Sequence, residues 1–495
     1  MRILYVDIDS LRPDHLGAYG YHRDTSPNID RLATDGRRFT NYYVSDSPCL
    51  PSRTALFSGR FGIHTGVINH GGLYADPRRS GRDREFKYPG KFGSWMRALG
   101  DAGIYTASVS PFPDRHDGWQ VVEGLREFHN PVDSTAPADL FYDYAESWLQ
   151  DNAEDDDWFL HVNFWDPHTE YNTPEEYGNP FEAAPAPEWP AAEEIEEHYE
   201  SYGPHSAFNP QSVGRDWSET FDCPRMPNEI RDRETFKRWV DGYDIGVHYA
   251  DHHVGKLLDL LREKGVFEET LVIVSADHGE SLGELNVYGD HQTADDKTCR
   301  VPLIVHGPEV KPGVDDDFHY HVDLAATVTE LAGGNPPVGW DGQSFAKSVT
   351  DDEDAGRDYV VVSQGAWACQ RSVRWDDWLL IRTYHDGFKP SLEDVMLFDL
   401  ADDPHETTDR SDEKPDVVES GLTKLQRWHE DRMLEAARGE NGGNPATPDG
   451  ATDPMWEVLR EGGPLHTRGK LEPYANYLRD AGRPEQAEEL EERHG

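Results

Sequence analysis

Residues 2–10 read RILYVDIDS, and residues 271–280 read LVIVSADHGE. Each stretch begins as an apolar run of strand length and ends at once in acidic residues. Similar apolar runs recur along the first three hundred or so positions, separated by segments with helical spacing. They predict strands at 3–8, 106–109, 159–164, 271–275 and 301–305. Alternation of buried strands with helices is typical of a mostly parallel sheet covered on both faces, so we predict an α/β fold.

The helices and the later strands have equally clear patterns. Apolar residues at 3.6-type spacing predict a helix over about 243–264, and Gly265 follows as a candidate C-cap. From Tyr359 onward the chain changes to short alternating segments with turn residues between them, typical of an antiparallel sheet. Strands are predicted at 359–363, 371–375 and 378–382.

These changes of pattern divide the chain into three parts. We predict a catalytic α/β domain over 1–355, a smaller antiparallel-sheet and helix subdomain over 356–437, and a linker with an acidic helical tail over 438–495. The Pro- and Gly-rich stretch within 437–454 is the linker, and a solvated terminal helix is predicted after Pro484. A long connection at 172–232 is a candidate substrate-covering loop.

Composition excludes several classes of function. The chain has 95 acidic and 47 basic residues, a formal net charge of -48, which repels nucleic acids and anionic membranes. Its 14 Trp, 22 Tyr and 19 Phe argue for a folded protein rather than a disordered acidic chain. So acidic a surface resembles that of proteins from salt-loving organisms, and we expect stability and activity to require high salt.

Targeting signals and cysteine usage indicate where the protein works. The first strand begins within a few residues of Met1, which leaves no visible secretory signal, and no apolar run reaches the about 18 residues of a membrane span. We therefore expect a cytoplasmic protein. Cysteines stand at 49, 223, 299 and 369, too widely scattered for a zinc knuckle and too few for a disulfide scaffold.

The end of the first strand offers a candidate metal site. Asp7 and Asp9 lie on one face by the two-residue period of a strand, and residues 16–20 read LGAYG downstream. Two aligned carboxylates at a strand end can bind a divalent cation.

The most informative stretch is residues 47–60, SPCLPSRTALFSGR. A lone cysteine before a proline is usually a buried structural residue. Here the whole stretch resembles the signature of the sulfatase family, Cys-x-Pro-Ser-Arg followed by a helix and a Gly-Arg ending. The resemblance implies an alkaline phosphatase-like fold and oxidation of Cys49 to formylglycine by a formylglycine-generating enzyme. It also implies that Arg53, one turn along the helix, contacts the anionic ester.

The same resemblance implies one divalent metal ion held by Asp9, Asp277 and His278. Oxygen ligands suit Ca²⁺, with Mg²⁺ or Mn²⁺ as alternatives. Sulfatases usually have a second aspartate directly after the first, and this chain has Ser10 there. The departure leaves the site one carboxylate short unless Asp7 or water takes the place.

Three further stretches extend the resemblance. Residues 164–168, FWDPH, resemble the family's Asp-Pro-His, so His168 is a candidate acid or anion-binding residue. His291 stands where many sulfatases have a sulfate-binding lysine, and Arg115 or His116 is a candidate substitute for a missing Lys-x-His pair. Residues 397–407, LFDLADDPHET, are similar to a structural segment of the family, so the resemblance extends to about residue 437.

The function that follows is hydrolysis of a small-molecule or saccharide sulfate ester, with Cys49, Arg53, His168 and His291 as catalytic residues. One alternative is phosphonate monoester or phosphodiester hydrolysis at the same site, which the His278 and Ser10 departures mildly favour. A second alternative is a non-catalytic binding protein of the same fold whose Cys49 is never converted.

Overall fold

The computed structural model describes residues 1–72, 74–77, 93–131, 135–211, 223–351, 353–438 and 452–495. The greater part of the predicted linker, 439–451, and residues 212–222 of the predicted covering loop lie outside these ranges. In the described part of the chain no helix has the length and apolar character needed to cross a bilayer.

The strands fall into two main sheets and one small hairpin. In chain order they are β1 Arg2–Ile8, β2 Arg37–Tyr43, β3 Asp46–Ser47, β4 Tyr105–Val109, β5 Glu127–His129, β6 Trp158–Phe164, β7 Thr270–Ser275, β8 Ser281–Leu282, β9 Tyr288–Asp290, β10 Leu303–His306, β11 Gly313–Tyr320, β12 Val360–Gln364, β13 Cys369–Trp375, β14 Trp378–His385 and β15 Val395–Asp399.

Helices connect these strands and close the chain. They are α1 Pro27–Asp35, α2 Cys49–Ser58, α3 Gly62–Thr65, α4 Trp95–Asp101, α5 Phe112–His116, α6 Ala138–Asn152, α7 Ala192–Glu200, α8 Arg233–Glu263, α9 Asp296–Cys299, α10 His321–Leu331, α11 Ala346–Thr350, α12 Pro415–Arg438, α13 Pro454–Arg460, α14 Leu471–Asp480 and α15 Pro484–His494.

The large sheet has eight strands in the order β11-β2-β10-β7-β1-β6-β4-β5. Strand β1 lies at its centre, parallel to both β6 and β7. Among the strands that the described residues form in this sheet, only β10 runs antiparallel to both of its neighbours. The mostly parallel α/β prediction is confirmed, and the carboxyl ends of β1, β6 and β7 meet at one edge, where such sheets place their ligand sites.

The second sheet has five strands in the order β15-β14-β13-β12-β3. Its antiparallel part begins at Val360, just beyond the boundary predicted near residue 355. The short β3 pairs in parallel with β12, so the residues immediately before Cys49 belong to this sheet. The smaller sheet therefore helps to hold the start of α2 in place.

Helix α8 shows how local signals set an element's length. It begins before the predicted 243, because the Asp232 carboxylate caps it by accepting a hydrogen bond from the Thr235 amide at 2.8 Å. It ends as predicted, with Gly265 at φ 73° following its last turn. Its buried face packs on α1 and α6.

The C-terminal tail corrects one prediction. Helix α15 forms after Pro484 as expected, but it is not solvated on all sides, because Ala487 and Leu490 are fully buried. They pack in one apolar cluster with Tyr202 and Trp367. The tail therefore lies against the rest of the protein and extends the fold beyond the second sheet.

Candidate active site

Cys49 is the first residue of α2 and is 1% exposed. Its Sγ atom lies 3.0 Å from His278 Nε2 and 3.9 Å from His291 Nε2. The first amides of a helix face an anion placed at this end. Burial, aided by the charge of Asp9, raises the pKa of the thiol to about 12. An unmodified thiol here is protonated at neutral pH and is a weak nucleophile.

Arg53 lies one turn further along α2 and is buried. Its guanidinium bonds Asp7 through Nη1. Its Nη2 lies 3.1 Å from Asp9 Oδ2 and 3.1 Å from Asp277 Oδ2. One fixed cation therefore links carboxylates from the ends of β1 and β7. The structure brings the predicted Arg53, Asp9 and Asp277 together.

The ligand atoms of Asp9, Cys49, Asp277 and His278 all lie within 4.8 Å of one another. The His278 Nδ1 donates to the Gly279 carbonyl at 2.7 Å, which leaves a lone pair on Nε2, the nitrogen that faces both carboxylates. Asp9 Oδ1 is buried and has no hydrogen-bond partner among the described residues. Two carboxylates and one properly oriented imidazole fit a divalent cation.

The two carboxylates of this group differ in their surroundings. Burial, and next the charge of Asp277, raises the pKa of Asp9. For Asp277, burial is outweighed by Arg53 and His278, which hold its pKa below the usual range. Burial also lowers the pKa of His278 to about 3, so its imidazole is neutral and able to act as a ligand. The ionised Asp277 carboxylate and the neutral His278 imidazole therefore favour binding of a cation by this group.

The departure at position 10 has a clear structural result. Ser10 adopts φ 61°, and its amide donates to Asp277 Oδ1 at 3.3 Å. Asp7 does not replace the missing second aspartate as a metal ligand. Its carboxylate instead contacts Arg53 and lies 3.2 Å from His161 Nε2. It is absent from every group of described residues that could hold a metal ion. Asp7 and Asp9 lie on the same strand face, but Asp7 pairs with Arg53, whereas Asp9 belongs to the metal-ligand group.

The loop after β7 turns tightly to present His278. The Gly279 amide donates to the Thr298 carbonyl at 2.8 Å. A Cβ atom at Gly279 would lie 1.9 Å from the Lys297 carbonyl oxygen. Because any side chain would push this loop away, glycine at 279 is needed to keep His278 beside Cys49.

His291 faces Cys49 from the end of β9. Its Nε2 lies 3.5 Å from Asp290 Oδ1, and its Nδ1 lies 3.8 Å from Glu280 Oε1. Burial alone would lower the pKa of His291, but the charge of the neighbouring Asp290 acts in the opposite direction, and that pKa lies well above its usual value. A cationic imidazole placed here can bind an anionic group or donate a proton.

His168 follows β6 and borders the same space. Its Nδ1 bonds the Thr169 carbonyl, its ring stacks on Trp165 at 4.0 Å, and its Nε2 lies 4.0 Å from Asp9 Oδ1. Burial, with the charge of His291, lowers the pKa of His168. The neutral His168 ring has a lone pair at Nε2. His168 can act as a general acid only when the ring is protonated.

The variant His168→Ala is expected to lower kcat by roughly 10²-fold, while the melting temperature changes by no more than about 2 °C. Steady-state kinetics and thermal unfolding measure both. His253→Ala is the matched control, because His253 is a buried helix histidine whose Nδ1 bonds the Tyr249 carbonyl at 2.9 Å. A large loss of stability with unchanged kcat in His168→Ala would assign His168 to packing instead.

The two candidate substitutes, Arg115 and His116, both belong to α5 but face different neighbours. Arg115 Nη2 bonds Asp9 Oδ2 at 2.8 Å, and its guanidinium lies 4.1 Å from the centre of a Trp165 ring. His116 is turned toward His70, with ring centres 5.0 Å apart. Arg115 therefore adds a second cation beside the metal-ligand group, and His116 lines the space above it.

A cavity of about 220 Å³ opens directly over Cys49. The lining residues that were not among the predicted site residues include His70, His205, Asp290, Trp367 and His466. Asp290 could have been found from its place beside His291. The others come from loops and from the C-terminal tail, where no local pattern marks them. His205 belongs to the predicted covering loop.

Two protein-family models match this chain. The family model described as Sulfatase matches residues 2–334, and the one described as N-sulphoglucosamine sulphohydrolase, C-terminal, matches residues 283–430. An N-acetylglucosamine-6-O-sulfatase of Bacteroides thetaiotaomicron is 21% identical, over 82% of this chain and 81% of that protein.

Solved structures show the same fold. A structure in complex with its substrate D-glucosamine-2-N,6-O-disulfate has a TM-score of 0.65 and 18% identity, over 87% of this chain and 98% of that one. The phosphonate monoester hydrolase of Agrobacterium radiobacter has a TM-score of 0.67 and 19% identity, over 87% of this chain and 96% of that one. At such identities the likeness establishes the fold, and the chemistry depends on the site.

Proposed function

The chain belongs to the sulfatase family, and on that premise we propose that it hydrolyses sulfate esters with a nucleophile derived from Cys49. The observation that carries this proposal is the position of Cys49 at the start of α2, within 4.8 Å of ligand atoms from Asp9, Asp277 and His278. A nucleophile, a cation site and an anion-binding helix end therefore meet at one point.

Conversion of Cys49 to formylglycine replaces the thiol and one Cβ hydrogen with a carbonyl oxygen. The Cβ carbon is oxidised, the sulfur leaves as hydrogen sulfide, and an oxidant such as O₂ is reduced by a separate maturation enzyme. Water then adds to the aldehyde and gives a carbon with two hydroxyl groups. The buried Cys49 is 1% exposed, so we expect conversion before the chain has folded.

Hydrolysis then follows in two steps, a displacement at sulfur and an elimination of sulfate. One hydroxyl oxygen bonds to sulfur, and the bond from sulfur to the alcohol oxygen breaks, so that the alcohol leaves with its electron pair and takes up a proton. The second hydroxyl then loses its proton and forms the aldehyde carbonyl, while the carbon–oxygen bond to sulfate breaks. Inorganic sulfate leaves, and water restores the hydrate. A serine has no second hydroxyl and would remain sulfated.

The surrounding residues bind the anionic ester, orient the Asp9 carboxylate and transfer protons. Arg53 and Arg115 orient the Asp9 carboxylate and lower the negative charge that meets the ester. His291, between Asp290 and Glu280, is the cation best placed to hold a sulfate oxygen or to protonate the departing alcohol. His168 borders the same space and could transfer that proton only in its protonated form, because burial lowers the pKa of its imidazole. A divalent ion held by Asp9, Asp277 and His278 would polarise the ester and favour the ionised hydrate.

Phosphonate monoester or phosphodiester hydrolysis is the second candidate function. Two observations favour it: Ser10 and His278 alter the charge of the metal group, and a phosphonate monoester hydrolase shares the fold. Against it stands the size of the cavity, since phosphonate monoesters and phosphodiesters have two organic groups on phosphorus. A space of about 220 Å³ suits one compact organic group beside the ester.

Three substrates with one leaving group distinguish these functions: 4-nitrophenyl sulfate, 4-nitrophenyl phenylphosphonate and bis(4-nitrophenyl) phosphate. We expect kcat/KM for the sulfate to exceed both others by at least about tenfold in the converted protein. A higher value for either phosphorus ester would make the second candidate the principal activity. The Cys49→Ala variant is the control for background hydrolysis.

A further inference from the structure

Part of the lining of the cavity over Cys49 comes from the C-terminal tail. Both family models end before this tail, at residues 334 and 430. His466, between α13 and α14, nevertheless lines the cavity together with Cys49 and His291. The tail therefore adds to the site a residue that the family models do not include.

The tail is firmly attached to the second sheet. Asp453 accepts two hydrogen bonds from the Arg371 guanidinium, at 2.7 and 2.9 Å, and both side chains are buried. The same carboxylate lies 2.8 Å from His429 Nε2 and caps α13 through the Met455 amide at 2.9 Å. A buried bidentate pair of this kind fixes geometry, since neither partner can be released without leaving a buried charge.

From this anchor the chain places His466 in a defined position. Its amide donates to the Ala366 carbonyl at 3.2 Å, and its ring stacks on Trp367 with centres 4.1 Å apart and planes 14° apart. Its Nε2 lies 3.4 Å from His70 Nδ1, and the His70 ring lies 5.8 Å from that of His291. A continuous row of rings thus runs from the tail to the reacting centre.

The chemistry of this lining suits one kind of leaving group. The lining includes six imidazoles, two indoles, one threonine and one carboxylate, and no aliphatic side chain from the described residues. A neutral imidazole has one donor and one acceptor, which matches hydroxyl groups that both donate and accept. Burial lowers the pKa of His466 to about 3, which agrees with a neutral ring at this place.

We propose that His466 is a specificity-determining residue that binds the alcohol half of the ester, and that this alcohol is a compact polyhydroxylated group such as a single hexose. The inference rests on the proposed sulfatase activity and extends it to the substrate class. A cavity of about 220 Å³ has room for one small ring beside the ester.

The test compares leaving groups on one ester chemistry. Converted wild-type protein is assayed on 4-nitrophenyl sulfate and on D-glucose sulfates esterified at each hydroxyl position. His466→Leu and His466→Ala remove the hydrogen-bonding atoms with and without similar bulk, and His466→Gln retains a donor and an acceptor. His494→Leu is the matched control, a histidine of the same tail whose Nε2 lies 3.1 Å from Asp386 Oδ1 and which does not line the cavity.

We expect His466→Leu and His466→Ala to lower kcat/KM on the best hexose sulfate by at least about tenfold, and on 4-nitrophenyl sulfate by less than about threefold. His466→Gln should recover most of the hexose activity, and His494→Leu should retain it. Equal losses on both substrates, or no loss on either, would overturn the inference. Melting temperatures show which variants are folded. The test requires only that either His466→Leu or His466→Ala is folded.

Two wild-type results separate the inference from its premise. Turnover of 4-nitrophenyl sulfate without turnover of any hexose sulfate would overturn the role of His466 and leave the sulfatase proposal intact. Turnover of no sulfate ester by protein with a confirmed aldehyde at Cys49 would overturn the sulfatase proposal itself.

Discussion

Cys49→Ala is expected to lower turnover by at least about 10⁴-fold, because it removes the atom that forms the covalent intermediate. Substrate binding should persist, since Arg53, Arg115 and His291 remain in place. Initial-rate assays measure the loss, and calorimetric titration with an unreactive sulfonate analogue measures binding. The result would separate the nucleophile from the binding residues that surround it.

Two further cysteine variants make this prediction specific. Cys369→Ala is the matched control, because Cys369 is also fully buried and lies in an apolar cluster with Ile68 and Met455. It should keep normal turnover even if stability falls. Cys49→Ser should give at most one sulfated turnover per molecule. Continued normal turnover by Cys49→Ala would exclude a nucleophile at this position.

Asp277→Ala is expected to remove the bound metal ion and to lower kcat/KM by about 10³-fold or more. The loss has two causes: one ligand disappears, and Arg53 loses the carboxylate that lies 3.1 Å from its Nη2. Metal content by elemental analysis of purified protein is therefore measured beside the kinetics. Both quantities should fall together.

Asp251→Asn is the control for this variant. Asp251 is equally buried, accepts hydrogen bonds from the Asn28 and Ile29 amides at 3.1 and 2.8 Å, and belongs to none of the described groups that could hold a metal ion. It should lose stability but keep its metal. A full metal complement in Asp277→Ala would refute the ligand assignment, and its Asp9→Ala counterpart would then show whether a different group binds the ion.

The main architecture was predictable because the parallel strands are buried on both faces. Such strands consist of nearly continuous apolar runs, as at β1 and β7, and no other element gives that pattern at that length. Their acidic ends then identify where Asp9 and Asp277 meet. The antiparallel sheet after Val360 was predictable from its alternation.

Other features depended on tertiary contacts that no local pattern contains. The two-residue strand period placed Asp7 beside Asp9 but could not show that Arg53 and His161 occupy its carboxylate. His70 and His466 are 396 positions apart, and only the folded chain brings their rings together. The apolar positions of α15 are too sparse to indicate burial among so many glutamates.

The central claim is that Cys49 becomes the aldehyde nucleophile, and peptide mass spectrometry of the protein from its own cells tests it most directly. We predict that the peptide containing Cys49 is lighter by the difference between a CH₂–SH and a CHO group, and that it reacts with a hydrazide reagent. A peptide with an intact, alkylatable thiol at Cys49 in protein that turns over sulfate esters would contradict the account. An intact thiol in protein without turnover would indicate the binding-protein alternative.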